Sequence, residues 1–312
     1  VKTKFNWKAL IVLLPLFVFP VMLALNGTHE TGTQELEGPK QDPLMEHLVD
    51  HNYIDFPGIE IELPVFAPVE IGGMKFDLSP TNRFVYFWIG VAVLLIFLCF
   101  YRRDKAVQTS LPGQMIETLV LFVRNEIVKP AIPGEEGDRL VPLMLTFFFF
   151  ILIENMIGLI PYLTTSTNNL SVTAALAVIT FFAWQITALR KQGLIGYLKT
   201  MMPLKKGDMP LPAVIGFNLF LFPLEFLQIF SKPFALAIRL FANMVAGHAV
   251  ILSFILIGWG GPVVGWSLGA SIPGVLAAAC IYLLEILVAF LQAYVFTLLS
   301  AIFIGQSLEH SH

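Results

Sequence analysis

The sequence predicts an all-α integral membrane protein. Five core membrane helices, two of them forming a long tilted C-terminal hairpin, follow an N-terminal signal peptide or anchor and an amphipathic surface helix. Three observations carry this reading. Of 312 residues, 56% are hydrophobic and only 13% charged, with a mean hydropathy of +0.77; soluble domains are about 25% charged. Apolar runs of spanning length recur along the chain. Lys and Arg gather after alternate runs, as cytoplasmic loops require.

The elements follow in order. Lys2, Lys4 and Lys8 precede the 17-residue apolar run "ALIVLLPLFVFPVMLAL" at 9–25. Residues 1–25 therefore read as a signal peptide or as an uncleaved anchor. Residues 26–80 read as an acidic extracytoplasmic segment with eleven Asp or Glu and two Lys, a net charge of −9 (2 − 11) that concentrates cations outside. Within it, "PLMEHLVDHNYIDFPG" and the alternating "IEIELPVF" predict a helical turn followed by short strands. His47, Asp50 and His51 cluster there, but no further ligand falls in register, and they read as surface residues.

Residues 81–308 read as the membrane domain. "NRFVYFWIGVAVLLIFLCFYRR" (82–103) is the first span and ends on Arg102, Arg103 and Lys105. In "GQMIETLVLFVRNEIVKP" (113–130), Ile116, Leu119, Val120, Val123 and Ile127 share a helical face, away from Gln114, Glu117, Arg124 and Asn125. That pattern predicts a helix lying on the membrane surface, with a partner-binding helix in a soluble loop as the alternative. "LVPLMLTFFFFILIENMIGLIPYL" (140–163) and "LSVTAALAVITFFAWQITALRK" (170–191) are spans joined by a short outer turn.

Residues 211–258 are almost continuously apolar, interrupted mainly by Pro223 and Pro233. As one helix they would extend about 72 Å, against a hydrocarbon core about 30 Å thick. This stretch is either two helices or one long, tilted and kinked helix. The segment 268–306 poses the same problem, at about 58 Å. No internal repeat accompanies them, which weighs against a secondary transporter. Cys99 and Cys280, the two cysteines, lie in apolar segments and show neither a disulfide framework nor metal spacing.

The long hairpin carries polar residues that a bilayer tolerates poorly. Glu225, Lys232 and Arg239 are seven apart, and Asn243 follows at four. Seven residues return a helix to within about 20°, so the four share an approximate stripe. His248 lies nine beyond Arg239 and faces another way. On the second helix Glu285 and Gln292 are also seven apart. Glu225 is about 21 Å of rise from Arg239, towards the cytoplasm. A membrane charge costs about 2.5–3.5 kcal/mol on the insertion scale, and such groups mark ion or proton paths. Arg239 is far from either end of its run, so snorkelling does not relieve it. Asn155, Asn243 and Gln292 also suit simple interhelical hydrogen bonding. An arginine that stays protonated repels a bare proton and attracts a carboxylate.

"SKPFALAIRLFANMVAGH" (231–248) resembles the signature of subunit a, or subunit 6, of the rotary ATP synthase. "PLMLTFFFFILIENMIGLIP" (142–161), "LPGQMIETLVLFV" (111–123) and "EILVAFLQAYVFTLLSAIFIG" (285–305) resemble its asparagine-bearing span, amphipathic helix and terminal helix. The resemblance covers roughly residues 80–306 and implies a stator beside a rotating ring of c subunits, with two half-channels reaching the interface. It implies that Arg239 is the essential arginine that pairs with ring carboxylates and that Gln292 faces it. Asn243 and Asn155 match interface and outer-channel residues. Glu225 matches the acid of the cytoplasmic half-channel, and His248 and Glu285 the outer pair. Two departures stand out. Ala242 replaces a glycine frequent in bacterial members, and His248 and Glu285 stand in the order of mitochondrial members.

The implied partners are the c-ring, the peripheral-stalk b subunits and the lipid bilayer, with no nucleic acid. The implied location is a bacterial inner membrane, with the C-terminus cytoplasmic. No GxxxxGK[ST] loop is present, so this chain is expected to bind no nucleotide or cofactor and to do no bond chemistry itself. Two other classes are a stand-alone ion channel or proton-coupled transporter, active without a ring, and a structural scaffold, indifferent to loss of Arg239.

Overall fold

A computed structural model describes residues 53–56, 59–64, 69–71, 74–76, 82–99, 111–160, 166–200, 210–258 and 268–309. Some side chains within the helices, His248 among them, also lie outside the described set. The expectations for residues 1–52, including the signal or anchor and the His47–Asp50–His51 cluster, fall outside it, as do the basic residues at 102–105 and 205–206.

Four strands precede the helices: β1 (Tyr53–Phe56), β2 (Ile59–Glu62), β3 (Val69–Ile71) and β4 (Met74–Phe76). They form two antiparallel hairpins, with Tyr53 opposite Glu62 and Val69 opposite Phe76. The alternating "IEIE" thus forms a strand as its period of two predicts. The chain is therefore not helical throughout; among the described residues the strands precede the membrane domain, whose elements are helices.

That domain comprises α1 (Asn82–Cys99), α2 (Leu111–Phe122), α3 (Glu135–Gly158), α4 (Leu170–Thr200), α5 (Leu211–Gly258) and α6 (Leu268–Glu309). Among the described residues four segments, against the five core membrane helices expected, are long and apolar enough to cross a membrane: Glu135–Gly158, Leu170–Tyr197, Val214–Ile251 and Leu276–Leu308. Phe84–Ile96 in α1 is a shorter apolar helix. The open alternative for 211–258 resolves to one 48-residue helix that runs through Pro223 and Pro233. Each proline lacks a backbone N–H and so deletes one backbone bond, yet the helix does not end at either. A contour of about 72 Å cannot stand upright in a hydrocarbon core of about 30 Å.

Two helix ends differ from the hydropathy reading. α3 starts at Glu135 because Glu135, Glu136 and Asp138 fill its first turn, where carboxylates offset the helix dipole. α4 carries on to Thr200 but breaks at Gly193, whose φ of 68° is not helical. The predicted end at Lys191 is therefore the end of its straight part.

α2 continues through a wider turn, Val123–Val128, and Lys129–Ala131. Ile116, Val123 and Ile127 of the predicted stripe are fully buried, and Leu119 and Val120 pack against the same core. The chain's own α3 and α6 cover this face. The amphipathic pattern thus reflects intrachain packing rather than a face turned to lipid. Leu111, Met115 and Leu121 are the exposed apolar residues of the same helix. Arg124 pairs with Asp138 at 2.9 Å and ties this segment to the start of α3.

α3 is the centre of the bundle. Phe147, Phe148 and Phe150 are fully buried; Phe147 meets Phe296 of α6 edge-on at 5.5 Å, and Phe150 meets Phe87 of α1 at 5.6 Å. The facing surface of α6 is built from small residues, Ala289, Ala293 and Ala301. Between membrane helices close packing replaces the hydrophobic effect as the cohesive force, and small side chains permit it. Buried hydroxyls are satisfied within their own helices: Thr180 donates to Leu176 O, Thr297 to Ala293 O and Ser300 to Phe296 O. Such bonds remove the cost of a bare hydroxyl in an apolar medium.

Candidate functional site in the long hairpin

α5 sets the position of Arg239. Leu236, Ala237, Leu240 and Met244 recur at helical spacing and are buried against the bundle. Ile238 and Arg239 fall between them, on the exposed face. No hydrogen bond or ion pair reaches Arg239 among the described residues. Asn243, one turn further, is half-buried. Other exposed residues of the helix include the apolar Phe220, Leu227 and Phe234 and the polar Gln228 and Ser231.

Glu225 is half-buried and has no ion-pair partner among the described residues. Lys232 lies over two rings, with Nζ 5.4 Å from the Trp184 centroid and 5.6 Å from that of Phe303. Electrostatic attraction to ring faces holds it. Among the described residues the seven-residue stripe is therefore no ladder of ion pairs: Lys232 rests on two rings and Arg239 has no such support.

α6 turns its polar residues inward. Glu285 is 5% exposed and Gln292 4%. Neither carboxylate oxygen of Glu285 nor Nε2 of Gln292 has a hydrogen-bond partner among the described residues. Buried polar atoms are nearly always bonded, so such atoms call for an explanation. Glu285 packs against Gly247 of α5, so closely that a Cβ there would overlap Oε1. Gly247 precedes His248, so Glu285 meets α5 at the turn that carries the histidine. The histidine side chain itself lies outside the described set.

Asn155 of α3 is fully buried. Its Oδ1 accepts from Thr167 Oγ1 at 3.0 Å, and its Nδ2 donates to Ala289 O of α6 at 3.4 Å. Ala289 lies between Glu285 and Gln292, so Asn155 joins the α6 stripe at their level. Of the seven residues singled out by sequence, Asn155, Glu285 and Gln292 come together along the inward face of α6. Arg239 and Asn243 lie on α5, and Glu225 stands apart.

Sequence reasoning overlooks Glu154, the neighbour of Asn155. It is fully buried. Its Oε2 accepts from Ser166 Oγ at 2.6 Å and Ser166 N at 3.3 Å. The signal was present: Glu154 is the one acid in the run 140–163.

Fold and site together define a multi-pass integral membrane protein whose polar groups gather around one long hairpin. The family profile described as "ATP synthase A chain" matches residues 84–305. The ATP synthase subunit a of Chloroherpeton thalassium is 39% identical over 322 residues, covering 97% of this chain and 91% of that protein. The ATP synthase subunit a 2 of Prosthecochloris aestuarii is 40% identical over 290 residues, covering 91% and 83% respectively. That of Myxococcus xanthus is 40% identical over 297 residues, covering 83% and 92%. This chain belongs to the ATP synthase subunit a family.

Proposed function

We propose that this chain is the stator proton-channel subunit of an ATP synthase. Two half-channels pass protons to and from carboxylates of a rotating c-ring, and Arg239 stands at the interface. The observation that carries this is the state of Arg239: a permanent cation on the exposed face of a long apolar helix, with no partner among the described residues. Such a charge is costly in lipid unless a carboxylate from another subunit meets it. A ring carboxylate beside Arg239 is favoured in its charged form, so it releases its proton on arrival and regains one on leaving. The fixed guanidinium also stops protons from passing directly between the half-channels.

Glu285, His248, Asn155 and Gln292 serve the outer route and Glu225 the cytoplasmic one. Polar atoms of Glu285 and Gln292 that lack partners among the described residues suit a path that carries protons. The peripheral-stalk b subunits and the lipid complete the surroundings. The C-terminus is cytoplasmic and residues 26–80 are extracytoplasmic.

Reconstitution tests the reading. The chain in liposomes without a ring should not conduct protons, and the complete membrane sector should. Conduction by the chain alone would make it a channel in its own right. A second test concerns the outer pair. Exchanging the two groups, His248→Glu with Glu285→His, should conduct better than the worse single variant; otherwise the two do not act as a pair.

A further inference from the structure

We infer that Glu154 is an additional proton-carrying residue on the outer access route, taking up a proton at its free carboxylate oxygen and releasing it towards the Asn155–Glu285 seam. The inference rests on the proton-channel reading above. Three observations lead to it. First, Glu154 is 0% exposed, inside a helix of spanning length and composition. Second, its two oxygens are treated unequally: Oε2 is held by the hydroxyl and backbone N–H of Ser166, while Oε1 has no partner among the described residues. Third, Oε1 is directed at Gly90 of α1, where any Cβ would overlap it.

Among the described residues no cation pairs with Glu154. Its hydrogen-bond partner Ser166 and its chain neighbour Asn155 are buried and neutral. A glutamine would make the same bond to Ser166 without the cost of a buried acid. An acid in a membrane interior with no structural need for its charge is a functional group by default.

Its position supplies the route. Ser166 and Thr167, in the outer connection between α3 and α4, are fully buried. Ser166 bonds Glu154, and Thr167 bonds Asn155, whose amide reaches Ala289 on α6, one turn from Glu285. Glu154 thus stands where the outer connection meets the seam leading to Glu285. The transfer balances: the O–H bond formed at Oε1 on uptake is the bond broken on release, and the carboxylate is restored.

The test uses the complete complex in inverted membrane vesicles, with passive proton flux read after the soluble sector is stripped. Glu154→Gln should lower the flux by about tenfold or more at normal complex content, and Glu154→Asp should retain more flux than Glu154→Gln. A purely structural role predicts the opposite order, because glutamine keeps the shape and aspartate does not. Wild-type flux in Glu154→Gln, or Asp no better than Gln, overturns the inference. If Glu154→Gln does not assemble, Ser166→Ala decides, since it removes only the hydroxyl that orients Oε2. A loss of about twofold or more supports the role, and unchanged flux overturns it. Arg239→Ala runs alongside. If unstripped Arg239→Ala vesicles keep coupled pumping, the proton-channel reading fails and the inference with it; if they lose pumping while Glu154→Gln keeps wild-type flux, the role of Glu154 alone has failed.

Discussion

Arg239→Ala in the assembled complex is expected to remove proton-driven ATP synthesis and ATP-driven pumping. The loss should be about a hundredfold or more, the scale of removing one preorganised electrostatic partner. Passive proton leak through the stripped membrane sector should persist or rise, because the barrier between half-channels is gone. The two readouts must diverge. A scaffold variant would lose both with assembly, and a plain pore residue would lose leak along with pumping. Arg239→Lys is expected to fail as well. A lysine presents a compact ammonium in place of the planar fork and loses its charge more readily when desolvated. Synthesis and pumping assays, with leak measured on the same vesicles, check both variants. Full synthesis in an assembled Arg239→Ala complex would remove the arginine from the mechanism.

The second large effect is expected at Gly247. A side chain there occupies the seat of the Glu285 carboxylate. Gly247→Leu should therefore imitate Glu285→Gln, and both should lower passive flux by about tenfold to a hundredfold, the weight of a positioned proton carrier. Overpacking costs about 1–3 kcal/mol, so the complex should still assemble. Complex content in detergent and flux in stripped vesicles separate the two effects. Unchanged flux in Gly247→Leu would mean that the contact between Glu285 and α5 does not matter for conduction.

Much of this was legible in the sequence, and the reasons are physical. Hydropathy finds the four helices of spanning length because each carries its own apolar run, whereas the first expected span, 82–103, holds only a shorter apolar helix among the described residues. It misjudged the start of α3, where Glu135, Glu136 and Asp138 are helical through the dipole and not through apolarity. Periodicity found the apolar stripe of α2 but not what covers it, since lipid and the α3–α6 core are alike to a hydrophobic face. The length of the 211–258 run excluded an upright helix, but whether Pro223 and Pro233 end a helix or bend it depends on what packs beside them.

At the site, Arg239, Glu285 and Gln292 stood out by type and spacing, because a permanent charge or buried acid in an apolar run is conspicuous alone. Glu154 met the same criterion but was eclipsed by Asn155 beside it. What sequence lacked for Glu154 was its seat: Ser166 is twelve residues away and Gly90 on another helix. The Gly247–Glu285 contact was equally hidden, since it depends on how α5 and α6 cross.

The account turns on a partner for Arg239 outside the chain. The most direct measurement is a density map of the assembled membrane sector that resolves the Arg239 guanidinium and the nearest ring carboxylate. A separation of about 4–6 Å, the range over which one charge holds another ionised, with α5 lying against the ring, is the predicted result. Arg239 turned to lipid, or paired with an acid of its own chain while the ring carboxylates face elsewhere, would contradict it.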